Sequence, residues 1–243
     1  MQGYTRRQLK TDKFAETAQG AATWAAGHQS SVIWAIGLVV VVALAFAGFM
    51  TWQGRQTEQG NLALAAALRT YGAPLRPAGA AAVAGEKSYA TAAERAKASQ
   101  KELKAVADKF TYTGPGRMAR YLGGVAAMQA GDNATAEQEL KAAADLRDKE
   151  IAALAKLSLA SLYRSTNRAA DASKVYKDLA DHPTDTVPKT RAQLELAEMY
   201  ETSAPDQAAA IYQQIQKDNP KSVAAQIAGS KLNAGKQPGA MNF

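Results

Sequence analysis

Ala136, Ala172 and Ala208 stand 36 residues apart, and so do Leu140, Tyr176 and Tyr212 four positions further on. A constant step of this length settles the architecture before any single element is assigned. Each unit is one supersecondary module that hides its apolar face only against its neighbours. Ala143, Leu179 and Ile215 keep the same step. A second series precedes each member of the first: Gly124, Ala160 and Ala197 are spaced 36 and 37, as are Ala127, Tyr163 and Tyr200. Gly131-Asp132 and Asn167-Arg168 fall between the two series and mark turns. Every unit therefore reads as two amphipathic helices. Small residues sit where the pair crosses, and the larger residue four positions later fills the interface. Units of this kind stack into an α-solenoid held by nearest-neighbour interfaces.

A degenerate unit threads upstream. Ser99, Leu103 and Val106 precede Ala136, Leu140 and Ala143 by 37, which predicts a second helix over residues 90–110 paired with a first from Thr57 to Tyr71. Residues 72–87, GAPLRPAGAAAVAGEK, lie between them, and the prolines and glycines predict a loose connection, long for a repeat hairpin. The expected fold class is all-α: a single transmembrane helix followed by a repeat solenoid of about three to four helix pairs. Its expected boundaries are 53–232, with a flexible tail at 233–243 marked by Gly235, Pro238 and Gly239.

The transmembrane helix is predicted over residues 31–52. Val32 to Met50 contains neither a charge nor a proline and has Trp34 and Trp52 near its ends. At about 1.5 Å per residue such a helix crosses a hydrocarbon core of about 30 Å, with the tryptophans at the two headgroup layers. Ala43-Leu44-Ala45 and Ala45-Phe46-Ala47 have the small-residue spacing of a signal-peptide cleavage site. The length of the run and the thirty residues ahead of it favour an uncleaved anchor. Arg6, Arg7, Lys10 and Lys13 precede the span, against Arg55 and Arg69 shortly after it, so the positive-inside rule places the stub 1–30 in the cytoplasm and exports the rest. Ala43, Ala47 and Gly48 form a small-residue face suited to close packing against another membrane helix.

The chain has no cysteine, which excludes disulfides, thiolate metal sites, a cysteine nucleophile and a lipidated cysteine. Of the formal net charge of +7, residues 1–30 hold +2 and the remainder +5. Basic and acidic residues alternate, as in Glu94-Arg95-Ala96-Lys97, with no aromatic-studded basic stripe, so a solvated surface is expected and not a nucleic-acid site.

The repeat positions resemble those of the tetratricopeptide family, which places small residues at positions 8 and 20, large apolar ones at 11 and 24, and often a proline at 32. The unit starting near Arg117 supplies Gly124, Ala127, Ala136, Leu140 and Ala143. The next supplies Leu159, Ala160, Tyr163, Ala172, Tyr176 and, one place early, Pro183. The last supplies Leu196, Ala197, Tyr200, Ala208, Tyr212 and Pro220. The family's tryptophan at position 4 is replaced by Arg120, Lys156 and Gln193. Joined to one N-terminal anchor, this set resembles the ancillary subunits of the Sec translocon, bacterial inner-membrane proteins with a periplasmic tetratricopeptide-like domain. The resemblance implies a non-catalytic role, an anchor beside the translocation channel, and a periplasmic domain that meets chaperones or export clients.

No catalytic constellation is legible. Gly79 to Ser88, GAAAVAGEKS, imitates a phosphate loop, but Glu86 separates Gly85 from Lys87 and no strand precedes it, so no nucleotide is expected. The two histidines, His28 and His182, lack partners at ligand spacing, so neither metal nor cofactor is expected. His182 is expected at a helix C-terminus, where it favours the dipole. What remains is the concave face of the stack. The first helices of the units would present there Met118, Tyr121, Val125, Met128 and Gln129, then Leu154, Leu157, Ser161 and Arg164, then Arg191, Leu194 and Glu198. Such a face, apolar and rich in methionine, suits varied peptides, though the same side chains also serve as ordinary interhelix packing. Two functions are expected from this reading: an interaction module serving protein export or folding, or a scaffold for another envelope assembly. The oligomeric state is open.

Overall fold

The computed structural model describes residues 24, 26–83 and 85–235. The stub before Trp24 and the terminal residues 236–243 lie outside the described residues. The chain divides into two units at Arg55/Gln56.

Helix α1 runs Gln29–Tyr71 and passes through that boundary. No proline interrupts it, and its glycines are tolerated within a helix, so nothing in the sequence stops it between the span and the first repeat. Its apolar part reaches a mean hydropathy of 2.7, and none of that stretch is buried by protein. Ile33, Leu44 and Phe46 are all more than 60% exposed. One helix is thus apolar enough to cross a membrane.

From Gln56 onward the chain is a stack of helices. The last turns of α1 are followed by α2 Ala92–Lys109, α3 Gly114–Gln129, α4 Asn133–Ala144, α5 Lys149–Ser165, α6 Ala169–Asp181, α7 Lys189–Ser203, α8 Pro205–Asp218 and α9 Val223–Gly235. From α2 on, each helix packs on the next, and α3 also meets α5 while α7 meets α9, which is the stacking of alternate helices in a solenoid. Among the described residues there is no strand, only a single backbone bridge between Leu75 and Tyr89.

Side-chain oxygens start α2 to α5. Thr91, Thr113, Asp132 and Asp148 accept from the backbone N–H groups of Glu94, Gly116, Thr135 and Ile151. The turns α3–α4 and α5–α6 need a left-handed residue. Gly131 and Asn167 take it, at φ 80° and 59°.

The core is a chain of clusters that follows the repeat. Ala67 of α1 packs with Leu103, Val106 and Ala107 of α2, with Phe110 just after that helix, and with Ala119 and Ala126 of α3. The largest cluster joins α3 to α7 through Ala127, Ala136, Leu140, Ala160, Tyr163, Ala172, Tyr176 and Leu196. The last gathers Ala197, Ala208, Tyr212, Ile215 and Ala228 from α7 to α9. Leu140 and Tyr176 are fully buried, and Tyr212 is 3% exposed. Gly124 meets Leu140 so closely that a Cβ there would lie 2.8 Å from Leu140 Cγ.

The connection 72–91 occupies the place of the turn within the first helix pair, where the later pairs use one to three residues. It is fastened at its base, which a reading of its glycines and prolines as a loose connection does not anticipate. The N–H of Arg76 donates to Tyr89 O at 2.8 Å and the N–H of Tyr89 donates to Pro74 O at 3.1 Å. Arg95 donates to Ala73 O. Lys87 Nζ donates both to Thr70 Oγ1 at 2.7 Å and to Glu102 Oε1 at 3.0 Å, while the buried Thr70 hydroxyl donates to Glu102 Oε2. Residues 77–83, 85 and 86, beyond this clasp in the sequence, are exposed.

Candidate functional site

Helices α3, α5 and α7 bring the residues expected on the concave face to the surface of the stack. Met118, Tyr121, Val125 and Met128 of α3 are half-buried, as are Leu157 and Ser161 of α5 and Leu194 of α7. Gln129 and Arg164 are exposed. Tyr121, Val125, Met128 and Leu157 pack on one core cluster, so the α3 and α5 contributions are brought together. Leu194 packs on the next cluster, with Ala197 and Tyr212. Gln129 donates to Tyr71 Oη at 2.9 Å, which ties the end of α3 to the end of α1. Arg164 and Arg191 both pair with Glu195, at 3.6 and 2.7 Å. The side chains of this face thus combine an inner edge packed into the core with an outer edge left in water.

Along the apolar stretch of α1, Ala43, Ala47 and Gly48 are exposed. Among the repeat positions Gly124, Ala136, Leu140, Ala160, Tyr163, Ala172, Tyr176, Ala197, Ala208 and Tyr212 are buried, and Tyr200 is half-buried.

Charge enters the stack at positions the repeat series does not display. Arg120 of α3 lies 3.3 Å from Glu139 of α4, which also accepts from Lys104 of α2 at 3.2 Å. The Glu139 carboxylate raises the Lys104 pKa above the ordinary lysine value. Lys156 of α5 is 2.6 Å from Asp178 of α6 and holds that carboxyl below its usual range. A second cluster joins consecutive units. Arg168 lies over the Tyr163 ring at 4.1 Å and pairs with Glu137 of α4 at 2.8 Å, while Lys141 pairs with the same carboxylate at 2.7 Å. Hydrogen bonds from Lys141 and then Arg168 bring Glu137 down to a pKa of about 2.

The tyrosines differ in how their hydroxyls are served. Tyr163 donates to Glu137 and Tyr212 donates to Glu201 at 2.7 Å. Burial, and then the bond to Glu201, push the Tyr212 pKa up. The Tyr176 hydroxyl is buried with no hydrogen-bond partner, and burial pushes its pKa up to about 12.

Lys87, the lysine of the phosphate-loop look-alike, has its ammonium on Thr70 and Glu102. His182 ends α6 with Nδ1 3.1 Å from both the carbonyl and the carboxylate of Asp178. Among the described residues no group of three or more histidines and carboxylates is placed to hold a metal ion.

Paired helices in register, small residues at the crossings and a solvent-facing row on alternate helices define a repeat module that binds other proteins. The family model described as tetratricopeptide repeat-like domain matches residues 23–182, and the chain belongs to that family. No curated protein and no solved structure matches the chain. The family defines a protein–protein interaction module, a class that is typically non-catalytic.

Proposed function

We propose that the chain is a single-pass protein of the bacterial inner membrane, its N-terminus cytoplasmic and its repeat domain periplasmic, which assists protein export or folding beside the Sec translocon. The observation that carries this reading is the pairing, in one chain, of one unburied apolar helix with a tetratricopeptide-like stack. The plan of anchor plus repeats is that of the ancillary translocon subunits. In this reading residues 31–52 meet lipid and the channel, with Ala43, Ala47 and Gly48 against a partner helix. The concave row of Met118, Tyr121, Val125, Met128, Leu157 and Leu194 meets chaperones or clients, with Gln129, Ser161 and Arg164 as its polar members. Half-buried methionines and a tyrosine offer apolar contact that repacks around different sequences. No nucleotide, metal or nucleic acid takes part.

The second reading, a scaffold for a cell-division or respiratory assembly, uses the same surface for one dedicated partner. Capture of the full-length protein in mild detergent, beside a version lacking residues 31–52, followed by mass spectrometry, separates the two. Export predicts translocon subunits together with several chaperones or clients, the channel being lost with the span. One stoichiometric envelope complex and no translocon subunit would establish the scaffold instead.

A further inference from the structure

Among the described residues from Gln56 onward, one aromatic ring stands in water. Phe110 and the other tyrosines are buried or half-buried, whereas Tyr112 is 84% exposed. Tyr112 belongs to the turn between α2 and α3, and the packing of α2 fixes which end of the stack that turn occupies. α2 runs back along α1. Near the end of α1 the Thr70 hydroxyl meets Glu102, whereas ten residues earlier a Cβ at Gly60 would lie 2.9 Å from Pro115 Cγ and 3.3 Å from Phe110 Cγ. The turn therefore stands at the end of the stack where α1 enters it. Trp52 lies four residues before Gln56, where this unit begins, so at most about 14 Å of chain separates the two. The turn is also held firmly. The N–H and the hydroxyl of Thr113 both donate to Phe110 O, at 2.9 and 2.8 Å, the Thr111 hydroxyl donates to Ala107 O at 2.9 Å, and the Gly116 N–H donates to Thr113 Oγ1 at 3.2 Å. A Cβ at Gly116 would collide with Phe110 O, so the close approach requires glycine there. The polar groups of the turn are thus spent on the fold while its ring stays outside.

We propose that Tyr112 lies in the headgroup layer of a phospholipid bilayer, so that the α2–α3 turn seats the repeat domain on the membrane surface. The inference rests on the reading of residues 31–52 as a span. A tethered domain meets the surface with the end that carries its tether, and its one ring left in water stands at that end. Tyrosine suits the layer because its ring is apolar while its hydroxyl stays among water and phosphates. The charges beside it agree. Lys109 is exposed and turns a cation toward the phosphates, whereas the carboxylate of Asp108 is already held by Lys104 at 3.4 Å and Arg120 at 3.7 Å. This contact is separate from the concave row and leaves it free for protein partners.

The chain has no cysteine, so a single introduced cysteine takes a fluorophore at one place. Full-length protein labelled at Thr111→Cys, Arg55→Cys or Val83→Cys, all exposed positions, is reconstituted into vesicles of phosphatidylethanolamine and phosphatidylglycerol, with and without a lipid that carries a nitroxide on its headgroup. The nitroxide removes more than half of the fluorescence at positions 55 and 111 and leaves that at 83, in the connection between α1 and α2, unchanged. Tyr112→Asp in the Thr111→Cys background restores the signal at 111, and Tyr112→Trp keeps it quenched. Quenching at 55 without quenching at 111 overturns the proposal and leaves the span standing. Absence of quenching at 55 refutes the span, and the proposal with it. Equal quenching at 83 and 111, or quenching at 111 untouched by Tyr112→Asp, overturns the proposal as well.

Discussion

Arg120 on α3 and Glu139 on α4 face each other at 3.3 Å across a helix pair, with both side chains largely withdrawn from water, at 20% and 10% exposure. Arg120 holds the repeat position at which the family's tryptophan is missing, so an ion pair stands where an aromatic wedge otherwise fills the hairpin. Arg120 also reaches Asp108 at 3.7 Å, and Lys104 bridges Asp108 and Glu139, so the charges form one network over three helices. Removing one partner leaves the other poorly solvated, whereas removing both does not. Glu139→Ala therefore destabilises the domain by about 1–3 kcal/mol, while Arg120→Met with Glu139→Leu is close to neutral. Chemical denaturation of the two variants beside the wild type gives both figures.

Two adjacent glycines on α3 respond in opposite directions. A Cβ at Gly123 meets only ordinary contacts, 3.7 Å from Leu103 Cβ, and Gly123→Ala gains about 0.5–1 kcal/mol from the reduced freedom of the unfolded chain. A Cβ at Gly124 would lie 2.8 Å from Leu140 Cγ and 3.2 Å from its backbone nitrogen, so Gly124→Ala overpacks the crossing and loses about 1–3 kcal/mol. The two unfolding midpoints move apart on either side of the wild type.

Tyr176 and Tyr212 hold the same position one unit apart, yet only Tyr212 has a partner for its hydroxyl. Tyr212→Phe forfeits a hydrogen bond to a carboxylate and lowers stability by about 1.5–3 kcal/mol. Tyr176→Phe removes an unserved buried oxygen and leaves the midpoint unchanged or raised. Thermal unfolding of the two variants side by side reads this directly.

Acid weakens the seam between the second and third helix pairs. Glu137 titrates at about 2 in the fold, below its ordinary 4.5, because Lys141 and Arg168 hold its charged form. A carboxyl lowered in the folded state contributes its stability in full above 4.5 and loses it as the pH falls toward 2. Glu137→Gln therefore flattens the dependence of stability on pH between those values, by about 1 kcal/mol across the window. Denaturant midpoints of both proteins at several pH values measure the slopes.

Periodicity made the helix pairs legible because each pair is a local object. Ala136, Leu140 and their counterparts show the crossing and the buried face within forty residues of chain, and Gly131 and Asn167 mark the turns they make. The clasp of Lys87 on Thr70 and Glu102 was not legible, since nothing in a glycine- and proline-rich stretch shows where its single lysine will dock. The Arg120–Glu139 pair was hidden for a similar reason: an alternating pattern of charge looks the same whether a given residue is solvated or folded inward. Helix α9 has the small residues of a unit's first helix without the tyrosine that α5 and α7 carry, which left its place in the stack outside the repeat signal. The residues expected on the concave row lie on α3, α5 and α7, and how far each sinks into the core depends on packing that only the folded stack supplies.

The most direct measurement is photo-crosslinking in the membrane of the native host, with benzoylphenylalanine placed at Tyr121 or Leu157 on the concave row and at Lys177, an exposed residue of α6. Adducts to chaperones, clients or translocon subunits from positions 121 and 157, with none from 177, are the result predicted for a groove that receives partners. Adducts from 177 alone would contradict it.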